Sequence, residues 1–263
     1  MRGHHKAALI AAGIFGACGI GLCTAAIVIG INSGELQADL QGLKNRVKDA
    51  GEDFSDDLSS DAKQTADGVV QSFDDVLFLD IELNYAGMEI HKGTGQEIRV
   101  TIPKEADGKV RCRQKGDTLE ISDNRKGLLS FLNSKDDSAQ IYLTIPENMK
   151  FQATEIEVGT GELKIVSLDT EELVMNCGVG EIDFDGSVTG NADIDCGVGS
   201  ISMKLAQNEK DFNYDIDCGV GSASIGEMDF LDGMGAERSV DNGAKQMMSV
   251  ECGVGDIKIH FSE

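Results

Sequence analysis

Apolar and polar residues alternate in short runs along most of the chain beyond residue 76, and a period of two marks a strand with one face buried. Phe78-Leu79-Asp80-Ile81-Glu82-Leu83, Glu97-Ile98-Arg99-Val100-Thr101-Ile102 and Gln140-Ile141-Tyr142-Leu143-Thr144-Ile145 all read this way. Pro103 and Pro146, the two prolines of the chain, each end one such run, where a hydrogen-bonded ladder has to stop. Farther on, the alternation becomes a repeat. Cys-Gly-Val-Gly is written at Cys177, Cys196, Cys218 and Cys252, and a copy without the cysteine runs Val158-Gly159-Thr160-Gly161. An apolar residue stands two positions before each cysteine (Met175, Ile194, Ile216, Val250), and an alternating run such as Glu181-Ile182-Asp183-Phe184 follows. The registers 158, 177, 196, 218 and 252 lie 19, 19, 22 and 34 residues apart.

A period of this length predicts a stacked repeat in which each unit buries its apolar face against its neighbours. The expected fold is all-β, a single-stranded β-solenoid over 76–263, with its body from Val76 to Phe261. Only Leu128 to Asn133 hints at helical periodicity in that stretch. Val158, Cys177, Cys196, Cys218 and Cys252 are expected in one inward column. Counting each cysteine as zero, positions −2, 0, +5 and +7 point inward, so the corner must absorb one residue. The Gly at +3 (Gly161, Gly180, Gly199, Gly221, Gly255) is expected to do so with a positive φ. Five coils about 4.8 Å apart make a stack roughly 20–25 Å long. The wide last step implies an insertion, Gly226 to Gln246, that loops out.

The front of the chain has a different pattern. Ala7 to Ile31 carries no charged residue, enough to span a bilayer with some tilt. Arg2, Lys6 and two His precede it and acidic residues follow, which predicts a cytoplasmic N-terminus and an extracytoplasmic C-terminal domain on a cell membrane. A lipoprotein signal ending at Cys18 and a cleaved secretory signal are the alternatives. Gly13, Ala17, Gly21 and Ala25 recur at four-residue steps, a pattern that permits a homodimer through the span. Residues 32–75 place Leu36, Leu40, Leu43, Val47, Phe54, Leu58, Ala62, Ala66, Val69 and Phe73 at three- and four-residue steps. That predicts an amphipathic helical stalk, or a cap over the first coil. The domains are therefore 1–31 (N-terminus and anchor), 32–75 (acidic stalk) and 76–263 (solenoid).

Lys and Arg total 23 against 46 Asp and Glu, a net charge of −23. Phosphate contacts need clustered basic residues, so a nucleic-acid partner is excluded; divalent cations or basic surfaces are favoured. The four repeat cysteines stand where another coil has Val158, which predicts an inert buried ladder. Disulfides across rungs are disfavoured by parallel Cβ vectors, and zinc by the lack of a CxxC pair. One position earlier runs a polar column, Glu157, Asn176, Asp195, Asp217 and Glu251. Its acids repel one another unless solvated or bridged by a cation, and a solvated face is the default expectation.

The opening Ile81-Glu82-Leu83 with Met88-Glu89-Ile90, the strand end Thr144-Ile145-Pro146 and corners such as Gly180-Glu181-Ile182-Asp183-Phe184 resemble the bacterial "putative adhesin" family from about Leu77 to Ile259. That family usually shows a Ser-Gly corner, so the cysteine ladder is a variation of this chain. The resemblance implies a β-solenoid on a membrane anchor, an envelope-facing non-enzymatic role and, in some members, a link to envelope-stress regulation. It transfers no functional residues.

Three function classes follow. The first is a membrane-anchored scaffold, adhesin-like or envelope-sensing, that binds an envelope protein or surface ligand. The second is a divalent-cation module using Glu157, Asp195, Asp217 and Glu251. The third, a polysaccharide-acting enzyme, needs convergent acids with a basic residue in a cleft. With no Trp, three Tyr, and His91 and His260 in alternating strands, the chain offers none. No catalytic residue and no cofactor is expected. The irregular apolar segments, Leu128, Leu129, Phe131 and Leu132 first and then Met228-Asp229-Phe230-Leu231 with Met234, are expected to fold back as covers over an end or flank of the stack; the alternative is a partner-contact surface.

Overall fold

Alternation carries over directly into backbone pairing. The computed structural model describes residues 63–65, 68–123, 140–230 and 236–262, all within one unit, Leu43–Glu263. The described residues open with β1 (Lys63–Gln64), β2 (Gly68–Phe73), β3 (Phe78–Leu83), β4 (Gly87–Gly93) and β5 (Ile98–Pro103). A hairpin of β6 (Val110–Lys115) and β7 (Thr118–Asp123) precedes β8 (Gln140–Pro146) and β9 (Phe151–Val158). The repeats give β10 (Glu162–Cys177), β11 (Glu181–Val188), β12 (Ala192–Leu205), β13 (Phe212–Cys218) and β14 (Ser222–Ile225). Last come β15 (Met228–Phe230), β16 (Ala236–Val240) and β17 (Gln246–Phe261).

Two ladders run side by side, joined at the Gly corners. The first holds, in spatial order, β6, β7, β3, β9, the second half of β10, the first halves of β12 and β17, then β13 and β16. The second holds β1, β2, β5, β8, β4, the first half of β10, β11, the second halves of β12 and β17, then β14 and β15. Inner rungs are parallel, and antiparallel strands cover the outermost rungs. Inward side chains such as Ile81, Met175, Ile194, Val250, Ile182 and Ile257 are fully buried between the ladders. Each contributes about 1.5–3 kcal/mol of apolar burial.

The five register residues do share one buried column, headed by Leu83, but their order in space is Leu83, Val158, Cys177, Cys196, Cys252, Cys218. β17 enters between β12 and β13, out of chain order. At the other end β7 lies outside β3 although it follows it in sequence. Identical alternation makes every rung an acceptable neighbour for every other, so chain order alone does not set spatial order.

The corners also correct the expectation. None of Gly161, Gly180, Gly199, Gly221 and Gly255 is among the residues with positive φ. What requires glycine is the closeness of the next rung. A Cβ at Gly178, Gly197, Gly253 or Gly219 would lie 2.9, 3.0, 2.8 and 2.8 Å from the carbonyl oxygen of Gly159, Gly178, Gly197 and Gly253 respectively. At the +3 glycines the overlap is closer still, always with the equivalent residue one rung away. The approach is used for hydrogen bonding: Gly178 N–H donates to Val158 O (2.8 Å), Val179 to Gly159 O (2.7 Å) and Val198 to Gly178 O (2.7 Å).

The insertion before the last coil does not loop out as expected. β15 pairs antiparallel with β14, and β16 with β13, so the insertion covers the end of both ladders, with Met228 packed against the core. The other end of the second ladder is covered by β2 on β5. Helical periodicity was expected through Val69 and Phe73, yet these belong to strand β2. The edge of β5 offers β2 a full antiparallel ladder, which outweighs the three-four spacing. Gly68 permits the approach, at φ 152° and against Ile102 O. Lys63–Gln64 of the expected stalk are likewise strand, β1, whereas the expected span Ala7–Ile31, the stalk positions Leu36 to Ala62 and Ala66, Leu128–Leu132, Leu231 and Met234 lie outside the described residues. Among the described residues no helix is long and apolar enough to cross a membrane.

Candidate binding face

The outward side of the first ladder is acidic. Alternation fixes this locally: in β3 the buried Leu79, Ile81 and Leu83 leave Asp80 and Glu82 facing out. The same parity places Glu155 and Glu157 on β9, Asp195 on β12, Glu251 on β17, and Asp215 and Asp217 on β13; Asp193 on β12 shares it but is buried. In-register pairing stacks them into two adjacent columns. One runs Glu120, Asp80, Glu155, Val174, Asp193, Ser249, Asp215, and the other Ser122, Glu82, Glu157, Asn176, Asp195, Glu251, Asp217. No Lys or Arg occupies any of these positions, and rungs stand about 4.8 Å apart. At the first of these positions β6 brings basic residues: Arg111 and Arg113 stand opposite Ser122 and Glu120, and Lys115 Nζ pairs with Glu120 Oε1 at 2.8 Å.

Crowded carboxylates hold protons that isolated ones would release. Burial, then Glu155, Glu120, Glu82 and Glu157, pushes Asp80 up to about 7. Burial and Asp193 raise Asp195 to about 6. Burial, followed by Asp195, Asp193, Asp217 and Asp215, raises Glu251 to about 7. Like charges at this spacing disfavour the ionised form.

Of the residues singled out from sequence, Asp195, Glu251 and Asp217 come together on consecutive rungs, with Glu251 in the middle. Glu157 stands two rungs from Asp195, separated by Asn176. They form a line and do not converge: among the described residues no three His, Cys, Asp or Glu are placed to hold a metal ion. The column of Asp80, Glu155, Asp193 and Asp215 was missed, although its signal, an acid three positions before the register residue, is plain in the sequence. Asp123 was missed as well. Buried at the end of β7, its Oδ2 accepts the N–H groups of Tyr85 and Ala86 at 2.8 Å each, fixing the first corner.

The cysteine column offers little chemistry. Cys177, Cys196, Cys252 and Cys218 are free thiols, at most 3% exposed. The hydrogen bond with Cys177 pushes Cys196 up to about 12, and burial pushes Cys218 up to about 11. A hydrogen bond from Cys196 lowers Cys177. Beside the column, the corner presents a row of Thr160, Val179, Val198, Val254 and Val220. Val179, Val220 and Val254 are 52%, 59% and 49% exposed, an apolar ridge bordering the acidic columns. His91 bonds Thr144 (3.0 Å), and His260 is exposed on the second ladder among Lys164, Asp183 and Lys204. Neither adjoins the acidic columns.

Residues 78–263 match the family model described as Toastrack DUF4097. No curated protein matches the chain. Among solved structures, a "putative cell adhesion protein" from Clostridium sporogenes ATCC 15579 is similar at 20% identity, covering 76% of this chain and 100% of that one, with a TM-score of 0.46. A "putative adhesin" from Bacteroides fragilis NCTC 9343 is similar at 14% identity over 72% of this chain and 94% of its own, TM-score 0.31. A "putative lipid binding protein" from Parabacteroides distasonis ATCC 8503 shares 13% identity over 74% and 96% of the two chains, TM-score 0.25. At these TM-scores the likenesses do not bear on function.

Proposed function

The chain belongs to the Toastrack DUF4097 family, and from that premise we propose that it is a non-enzymatic, adhesin-like binding module held outside the cytoplasm on an N-terminal membrane anchor. Its acidic face engages a cationic surface on an envelope partner. The observation that carries this reading is the pair of acidic columns, with no basic residue in either from Asp80 and Glu82 through Asp215 and Asp217. A face of one sign steers an oppositely charged partner and orients it, and its pull weakens with salt. The anchor and the direction of insertion rest on the apolar run Ala7–Ile31 and its flanks.

The test is capture of partners from native membranes by the full chain. A triple variant, Asp195→Asn with Glu251→Gln and Asp217→Asn, should lose the captured partner, and raised salt should release it from the wild type. Undiminished capture by the triple variant, with its fold intact, refutes the acidic face as the binding surface. Protease added to intact protoplasts should remove the β domain; full protection refutes the orientation.

A second reading is a divalent-cation module: Asp195, Glu251 and Asp217 do not converge on one point, but they stand on consecutive rungs, where a cation bridging neighbours would relieve their repulsion. Calcium or magnesium that raises the melting temperature of the wild type and leaves the triple variant unmoved would support it.

A further inference from the structure

β17 is the last described strand in chain order, yet it lies inside the stack. Its neighbours are β12 on one side and β13 with β14 on the other. Without it, the edges of β12 and β13 would face each other across a gap one strand wide. That slot specifies its occupant closely. It pairs thirteen residues of β17 with β12, seven with β13 and four with β14, all parallel and in register. Its inward positions take Met248, Val250, Cys252, Ile257 and Ile259, every one buried. At the corner, Gly253 and Gly255 pass so close to the carbonyls of Gly197 and Gly199 that no side chain fits. The slot therefore selects an alternating strand, a Gly-x-Gly corner and a second alternating strand. Backbone pairing of this kind reads register and side-chain size, and nothing in it reads which chain supplies the strand.

The tether has the character a strand exchange needs. Between β16 and β17 the chain passes from one side of β13 to the other through residues 241–245. Asp241, Asn242, Gly243 and Lys245 are exposed there, and Gly243 takes a φ of 71°. Asn213 accounts for much of its hold: its Oδ1 accepts from the N–H groups of Asn242 (2.8 Å) and Ala244 (3.2 Å), and its Nδ2 donates to Ala244 O (2.9 Å).

We propose that the slot between β12 and β13 also takes Gln246–Phe261 of a second copy, so that copies of this chain join by strand exchange. Reciprocal exchange closes a dimer, and one-way exchange extends a row, because slot and strand are different surfaces of the same molecule. The acidic columns keep their composition in either case, since each slot receives the same Glu251. The proposal is thus independent of what the acidic face binds.

Ser200 and Asp256 are register partners on the outer side of the second ladder, which gives a direct test. Full-length chains carrying Ser200→Cys and Asp256→Cys, with different tags, are unfolded, mixed, refolded together at high concentration and treated with a short bismaleimide. A cross-linked heterodimer is expected in several-fold excess over either variant refolded alone, with the link between positions 200 and 256 mapped by mass spectrometry. The proposal is overturned if the mixture yields no such excess while a single chain bearing both substitutions cross-links within itself.

Discussion

A methyl group at Gly199 would overlap the carbonyl oxygen of Gly180, whereas one at Gly108 meets nothing within 4 Å. Gly199→Ala must push two rungs apart, and should cost about 3 kcal/mol, the upper range for overpacking. Gly108→Ala pays only for its φ of 75°, about 1–2 kcal/mol. Chemical denaturation of the two variants separates these causes; equal losses would reject the close-approach account of the corners. The cysteine column makes a matching pair. Cys196 is fully buried among apolar neighbours, so Cys196→Val should cost under about 1.5 kcal/mol. Cys196→Asp should prevent folding or lower the melting temperature severely, because it buries a carboxylate without a partner.

At the level of strands, the crossover between β16 and β17 depends on Asn213, whose side chain satisfies three backbone groups of that turn. Asn213→Ala removes these bonds from a turn that water can reach, and should destabilise the chain by about 0.5–1.5 kcal/mol. Hydrogen exchange at residues 246–252 should rise before exchange in β10; uniform exchange would show that the turn does not hold β17. The strands themselves were legible in the sequence because a period of two survives any neighbour, and so was the inward column of Val158, Cys177, Cys196, Cys218 and Cys252. Rung order was not legible, because β12 presents the same pattern to β13 as to β17. That the segment at Met228 folds back over the end of the stack was legible from its apolar run, whereas β2 was hidden: an edge strand answers to the edge it meets, and Val69 to Phe73 carries a spacing compatible with a helix. Of the candidate face, the column containing Asp195 and Glu251 was legible, while the parallel column through Asp80 and Asp193 went unread despite the same alternation.

For the molecule as a whole, the crowded carboxylates set the pH response. Asp80, Asp195 and Glu251 keep protons up to about 7, 6 and 7 in the folded state, whereas an unfolded chain releases them near pH 4. The folded state therefore binds more protons between these limits. Their contribution to stability is fully present below about pH 4 and is lost as pH rises through 6 to 7. Melting temperature should be higher at pH 5 than at pH 8, and Glu251→Gln should raise it at pH 8 and flatten the slope. A wild type that melts higher at pH 8 would contradict the shifts. The glycine corners bear on how long such a molecule can be. Because each corner meets the next through the same carbonyl contact, the junction between the rungs of Cys177 and Cys196 is interchangeable with a copy of itself. A gene segment encoding 178–196, written twice in tandem, should be accepted as one more whole coil, lengthening the stack by about 4.8 Å without refitting any neighbour. Length in this protein is then a heritable quantity that changes in whole coils, and a half-coil addition has no junction to join.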